Sequence, residues 1–252
     1  MPPATGPIVI SCQNVTKRFY YYTHRTESLR ELFIRRMKQQ PTHVRRLEFT
    51  LQNFSLSVRQ GEVVALIGAN GSGKSTALRL IAGIYLPTLG TVETRGRVAA
   101  VIELGAGFHS ELTGAENVAL YGAVMGLTQA EIEARFDEII RFAELGDFVN
   151  VPVKYYSSGM QTRLAFAVTV CVNPDILLLD EVLAVGDESF RQRCLDRLSS
   201  FRAAHGTLVV VSHDLGAVRR LCTRVVWLDH GKIMMDGAPN QVIEAYLHQV
   251  RG

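Results

Sequence analysis

Apolar positions along the chain follow two periods, and the switches between them mark the elements. Val63–Ile67 is a continuous apolar run rich in β-branched residues, the pattern of a strand buried on both faces. Ile176–Leu179, Leu208–Val211 and Val225–Leu228 repeat that pattern, while Leu51, Phe54, Leu56 and Val58 alternate loosely before a Gln60–Gly61 turn. A short strand, Ile8–Ile10, opens the fold. Segments of helical period lie between these runs: Lys74–Ala82, Ala115–Met125, Gln161–Val172, Ser189–Ala204, Leu215–Leu221 and Gln241–Val250. Thr128 with Glu131 forms a capping box that opens a further helix to Leu145, before Gly146. Strands alternating with helices predict an α/β domain with a largely parallel sheet covered on both faces. The helices of 113–172 interrupt that alternation and read as a subdomain inserted into one domain spanning 1–252.

One stretch differs in character. Between Phe19 and Leu47 the chain turns aromatic and basic, and Leu29, Leu32, Phe33 and Met37 recur at helical spacing while Arg30, Arg35 and Lys38 point elsewhere. Ser28 with Glu31 caps the start and Pro41 closes the end, which predicts a basic amphipathic helix within 25–40.

Composition narrows the class. With 47% apolar and 20% charged residues the chain is an ordinary globular protein rather than a disordered one. Its apolar runs fall far short of the ~18 residues a membrane span needs. Met1–Pro7 carries no basic start and no apolar stretch, so no secretory signal is expected. Basic residues exceed acidic ones by only 27 − 24 = 3, too few to predict non-specific nucleic-acid binding. Cys12, Cys171, Cys194 and Cys222 lie far apart with no Cys-x-x-Cys pair, which argues against disulfides and zinc and for a reducing compartment.

The segment Gly68-Ala69-Asn70-Gly71-Ser72-Gly73-Lys74-Ser75-Thr76 matches G-x-x-x-x-G-K-[S/T], between a buried strand and a helix as the mechanism requires. Its glycines let backbone N–H groups turn inward around phosphate oxygens, and the helix N-terminus adds partial positive charge. Lys74 is placed to reach the β- and γ-phosphates and Ser75 to ligate Mg²⁺. A chance match to the four fixed positions arises on the order of once in a hundred chains of this size. The flanking strand and helix make it rarer still.

Three later features agree. Ile176–Leu179 ends in Asp180 and Glu181, the first placed to hold the Mg²⁺ shell and the second to orient or deprotonate water. His213 follows another strand, at the sheet edge where ligands sit in such folds, and is assigned as a γ-phosphate contact. Tyr156-Ser157-Ser158-Gly159-Met160 is a small-residue turn opening a helix, readable as a second anion site or as a plain N-cap.

With these residues in order, the chain resembles the ATP-binding cassette (ABC) ATPases over almost its whole length. The resemblance implies a P-loop core with a mostly parallel sheet, an antiparallel β subdomain and an inserted helical subdomain. It also implies a head-to-tail homodimer holding ATP and Mg²⁺ at its interface. In that arrangement Glu181 is the catalytic base and His213 the switch histidine. The signature residues Ser157, Ser158, Gly159 and Met160 act in trans, and Asp187 ends the D-loop. Phe19, in Val15-Thr16-Lys17-Arg18-Phe19, takes the family's adenine-stacking place, with Tyr20 and Tyr22 as neighbours that could serve instead. Tyr156, Ser158 and Met160 depart from the usual Leu-Ser-Gly-Gly-Gln. The family's glutamine before the helical subdomain is absent; Glu103 stands nearest its place, although ungapped counting points to Leu104.

Glu103–Phe108, Tyr156–Met160, Ala184–Asp187 and the insertion at Arg25–Gln40 resemble the branch that exports lipid-linked polysaccharides: O-antigen, capsule and teichoic acid. That likeness implies a peripheral subunit at the cytoplasmic face of a bacterial inner membrane. It drives a separate permease, present in two copies, which carries the lipid-linked glycan. The basic apolar-striped helix fits anionic headgroups or a pyrophosphate-linked lipid, and its bland alternative is a solvated surface helix. Some members of the branch continue into a carbohydrate-binding β-sandwich, and none is expected before Gly252. The rival readings are an ABC ATPase serving another substrate and a soluble cassette ATPase acting on nucleic acid. A single P-loop and the lack of sustained heptads speak against the second.

Overall fold

The computed structural model describes residues 6–22, 45–102, 107–180 and 188–251. Strands β3 (Val63–Ile67), β5 (Val98–Val101), β6 (Ile176–Asp180), β7 (Thr207–Val211), β8 (Arg224–Asp229) and β9 (Lys232–Gly237) form one sheet in the order β5-β6-β7-β3-β8-β9. All neighbours are parallel except the antiparallel β8–β9 pair. A second, antiparallel sheet has the order β2-β1-β4, from β1 (Ile8–Tyr22), β2 (Arg45–Arg59) and β4 (Leu89–Thr94).

The unbroken apolar runs are explained by what covers each face. Along β3, Val63, Ala65 and Ile67 enter one core while Val64 and Leu66 enter the other, and β6, β7 and β8 divide in the same way. One core is closed by helix α1 (Lys74–Ile81) and the antiparallel sheet. The other is closed by the helices between β5 and β6, namely α2 (Gly114–Val124), α3 (Gln129–Ala143) and α4 (Ser158–Cys171). Helices α5 (Glu188–Ala203), α6 (Leu215–Leu221) and α7 (Pro239–Arg251) complete it. Full burial of a large apolar side chain contributes roughly 1.5–3 kcal/mol. A polar substitution anywhere on β3 would therefore unseat one layer.

Local chemistry sets the element ends. Thr128 and Glu131 form the expected capping box at α3, and Thr113 with Glu116 forms a second one at α2. Hydrogen bonds from the threonine backbone and hydroxyl hold both glutamates below the usual carboxylate range. Helix α3 stops at Glu144, whose φ of 53° is left-handed and cannot continue a right-handed helix.

Five strands differ from expectation; β5 is not predicted, and β2 begins at Arg45 rather than at Leu51. β1 runs on to Tyr22 because Asn14, at φ 50°, sits in a bulge that breaks the alternation, and register shifts between Cys12 and Lys17 hide the strand's period. β4 and β9 are edge strands whose side chains alternate between exposed and half-buried, so their apolar signal is weak. The helix expected within 25–40 lies outside the described residues.

Candidate functional site

Three adjacent parallel strands bring the 68–76 loop, Asp180 and His213 to one edge. Val211, the last residue of β7, pairs in register with both Leu66 of β3 and Asp180 of β6. The chain therefore leaves β3 into the 68–76 loop, ends β6 at Asp180 and passes from β7 to His213 along a single row. Neighbouring strands stand about 4.8 Å apart. This is the carboxyl edge, and His213 is solvent-exposed there.

Close approach fixes the shape of the loop. A Cβ at Gly68 (φ +145°) would lie 2.1 Å from the Leu228 carbonyl, and one at Gly73 (φ +103°) 2.4 Å from that of Thr50. Only glycine fits either place. Gly73 is also the N-cap of α1, and no side chain caps that terminus, so its N–H groups keep their partial positive charge for a ligand. The Lys74 ammonium is buried and donates to the carbonyls of Gly68 and Ala69, both at 2.9 Å. The buried Ser72 hydroxyl has no hydrogen-bond partner among the described residues, as a group held for a bound anion would.

Ser75 Oγ donates to Asp180 Oδ1 at 3.2 Å. Hard divalent cations take such a hydroxyl–carboxylate pair of oxygens, so these residues fit Mg²⁺. Phe19 lies on the strand that passes the loop: Lys17 pairs with Leu51, whose side chain a Cβ at Gly73 would touch at 2.9 Å. Its ring meets Tyr85 edge to face, with centroids 5.4 Å apart, and Lys17 Nζ stands 5.1 Å from the Phe19 ring and donates to the Leu86 carbonyl.

The signature-like turn is carried separately. Ser157 is the N-cap of α4 and accepts from the Met160 N–H at 3.2 Å, so Ser158, Gly159 and Met160 form the first helical turn. Helix α4 leads toward the amino end of β6, which leaves Ser157 about 20 Å back along its 14 residues. Tyr156 is buried, and its hydroxyl donates to the Phe148 carbonyl at 2.6 Å. A Cβ on Gly114 would come within 2.2 Å of that hydroxyl, so tyrosine here depends on glycine at the start of α2. Glu103, Glu181 and Asp187 lie outside the described residues.

Periodicity gave no sign of Asn117. Fully buried, it accepts from the His109 N–H and donates to the carbonyls of His109, Leu112 and Thr113. The segment it holds is joined to the residues before the signature by Val153 N–H to Leu112 O, Lys154 N–H to Ser110 O and the Lys154–Glu111 ion pair. Glu116-Asn117, one residue past a Thr-Gly pair, was the available signal, since a mid-helix asparagine that seeks backbone partners breaks local preference.

Comparison with known proteins agrees with this geometry. Residues 51–184 match the family model described as ABC transporter. The chain is 45% identical over 95% of its length to the O-antigen export system ATP-binding protein RfbB of Myxococcus xanthus, of which it spans 54%. It is 43% identical over 94% of its length to a Klebsiella pneumoniae protein of the same name, spanning 97% of it. To the teichoic acids export ATP-binding protein TagH of Levilactobacillus brevis it is 45% identical, with 94% of this chain and 64% of that protein covered. Among solved structures, the ATP-binding subunit of an ABC transporter superposes with a TM-score of 0.75 at 22% identity, over 94% of this chain and 93% of that one. A dimeric ATP-binding cassette bound to ADP and Pi gives 0.71 at 25% identity, over 91% and 98%. The chain belongs to the ABC transporter family, and its fold is that of the family's ATPase domain.

Proposed function

We propose that the chain is the ATP-hydrolysing motor of an exporter for a lipid-linked polysaccharide of the O-antigen, capsule or teichoic-acid type. The observation that carries the substrate class is its likeness, over more than nine-tenths of its length, to relatives named for O-antigen and teichoic acid export. No helix among the described residues is long and apolar enough to cross a membrane. The relatives named as ATP-binding proteins of export systems support a separate permease, in two copies, which moves the glycan and on whose cytoplasmic side the chain docks. The basic segment 25–40 is its contact with headgroups or carrier lipid, and 113–172 is an inserted helical subdomain ending in the signature motif.

In the reaction Lys74 and the loop N–H groups hold the β- and γ-phosphates, with Phe19 against the adenine. Ser75 and Asp180 hold Mg²⁺, which when bound neutralises charge on the phosphate oxygens. Glu181 takes the proton of the attacking water, while His213 fixes the γ-phosphate. Ser157, Ser158, Gly159 and Met160 of a second copy close the pocket, Asp187 ends the D-loop, and Glu103 takes the place of the family's glutamine. Glu181→Gln tests the reading. It should retain ATP and accumulate as closed dimers in size-exclusion chromatography, and turnover equal to the parent's would remove Glu181 from the base role. Reconstituted with its permease, the parent should hydrolyse faster with a lipid-pyrophosphate glycan than with free glycan; equal rates would dismiss the substrate class.

A further inference from the structure

Phe19 has no polar group to fix its orientation, so the plane of its ring is set by what packs against it. Tyr85 meets it edge to face, with centroids 5.4 Å apart and planes at 71°. Lys17 Nζ stands 5.1 Å from the Phe19 centroid and 5.3 Å from that of Tyr85, within cation–π range of both rings. Its donation to the Leu86 carbonyl at 2.9 Å keeps the ammonium between them. Among the described residues no further ring or cation is stacked on Phe19.

The arrangement is anchored at a second end. Ile84 and Tyr85 both donate their N–H to the Arg79 carbonyl, at 2.9 and 3.2 Å, in the turn that leaves α1. Strand β1 is joined to the same segment by Thr88 N–H to Thr16 O at 2.8 Å and by Arg18 N–H to Thr88 Oγ1 at 3.1 Å. The Phe19 ring is thereby tied to the helix whose first turn carries Lys74 and Ser75.

We infer that Lys17 and Tyr85 are positioning residues for the nucleotide base: they hold the Phe19 ring in the orientation that receives adenine, before the base arrives. The inference deepens the reading of Phe19 as the adenine-stacking ring and rests on it. A ring left free to turn has to be immobilised on binding, and that ordering weakens affinity. The phosphate contacts are untouched, so the loss falls on ligands that carry a base.

The test uses the full chain with Mg²⁺ and ADP, which has no γ-phosphate to cleave, and pyrophosphate as the base-free probe. ADP is followed by titration calorimetry and pyrophosphate by competition against it. Lys17→Met keeps the length of the side chain and removes the cation. It should weaken ADP by about threefold to tenfold and pyrophosphate by less than about twofold. Tyr85→Leu, which removes the ring that meets Phe19, should do the same. Lys17→Arg returns a cation to the rings and should recover most of the loss. In a Phe19→Ala chain, Lys17→Met should cost nothing further, because the ring it positions is gone. ADP affinity unchanged by Lys17→Met or by Tyr85→Leu, or unrecovered in Lys17→Arg, overturns the inference. So does an equal loss for pyrophosphate, or a loss from Lys17→Met that persists without Phe19, since Lys17 would then act on the phosphates or on the fold. If Phe19→Ala alone leaves ADP affinity unchanged, the stacking reading itself falls, and the inference with it.

Discussion

Lys74 shows how much one side chain carries at the residue scale. Its ammonium is buried, and the Gly68 and Ala69 carbonyls that receive it also shape the loop. A buried charge needs such partners, and phosphate oxygens supply stronger ones. Lys74→Ala should therefore lower ATP affinity by about tenfold to a hundredfold, the effect of losing a charge-assisted hydrogen bond of about 1.5–3 kcal/mol. Titration with a fluorescent ATP analogue checks this, and unchanged affinity would contradict the phosphate-site assignment. The four cysteines show the opposite case. All are buried, and desolvation pushes each thiol up to about 12, so essentially none is thiolate at neutral pH. They fill the core.

Asn117 makes the corresponding case at the scale of elements. Its amide satisfies three backbone carbonyls and one N–H around the start of α2, inside a core that offers nothing in exchange. Asn117→Ala should cost about 2–3 kcal/mol by stranding those groups. In a chain of this size that lowers Tm by on the order of 5–10 °C. Calorimetry checks the loss, and an unchanged Tm would show that those groups find other partners. Elements with a regular burial pattern were legible in the sequence: β3 runs Val63–Ile67, buried throughout, and α6 runs Leu215–Leu221, with Ala217, Val218 and Leu221 buried at helical spacing. The glycine loop was legible because its backbone must approach other chain segments closely, which leaves only glycine at Gly68 and Gly73. β4 and β9 were not, since an edge strand needs little apolar surface. Asn117 was not legible because its partners lie in a nearby loop that has no apolar period, and the ion pair of Glu144 with Arg193 of α5 was not because its members are distant in sequence. Arg193 and Glu144 stand 49 residues apart, and no local pattern records such a meeting.

At the scale of the whole molecule, the sheet edge with the 68–76 loop and the turn at Ser157 belong to different parts of one chain. The P-loop, Asp180 and His213 share a row on three strands, while Ser157 caps a helix whose other end feeds β6. If each pocket draws its phosphate loop from one copy and its lid from the other, defects in the two should complement. In the Glu181→Gln background, chains carrying Lys74→Ala keep an intact signature, and chains carrying Gly159→Asp keep an intact loop. Neither alone should dimerise with ATP, the first for want of bound nucleotide and the second because a carboxylate at the helix N-terminus meets the γ-phosphate with like charge. Mixed, the two kinds of chain can build one sound pocket per heterodimer, with the sound loop facing the sound lid, and the opposite pocket doubly defective. The mixture should form dimers that hold one ATP where the Glu181→Gln parent holds two, as read by chromatography with labelled nucleotide. Lids supplied by the same copy would predict no dimers in the mixture beyond those of each variant alone.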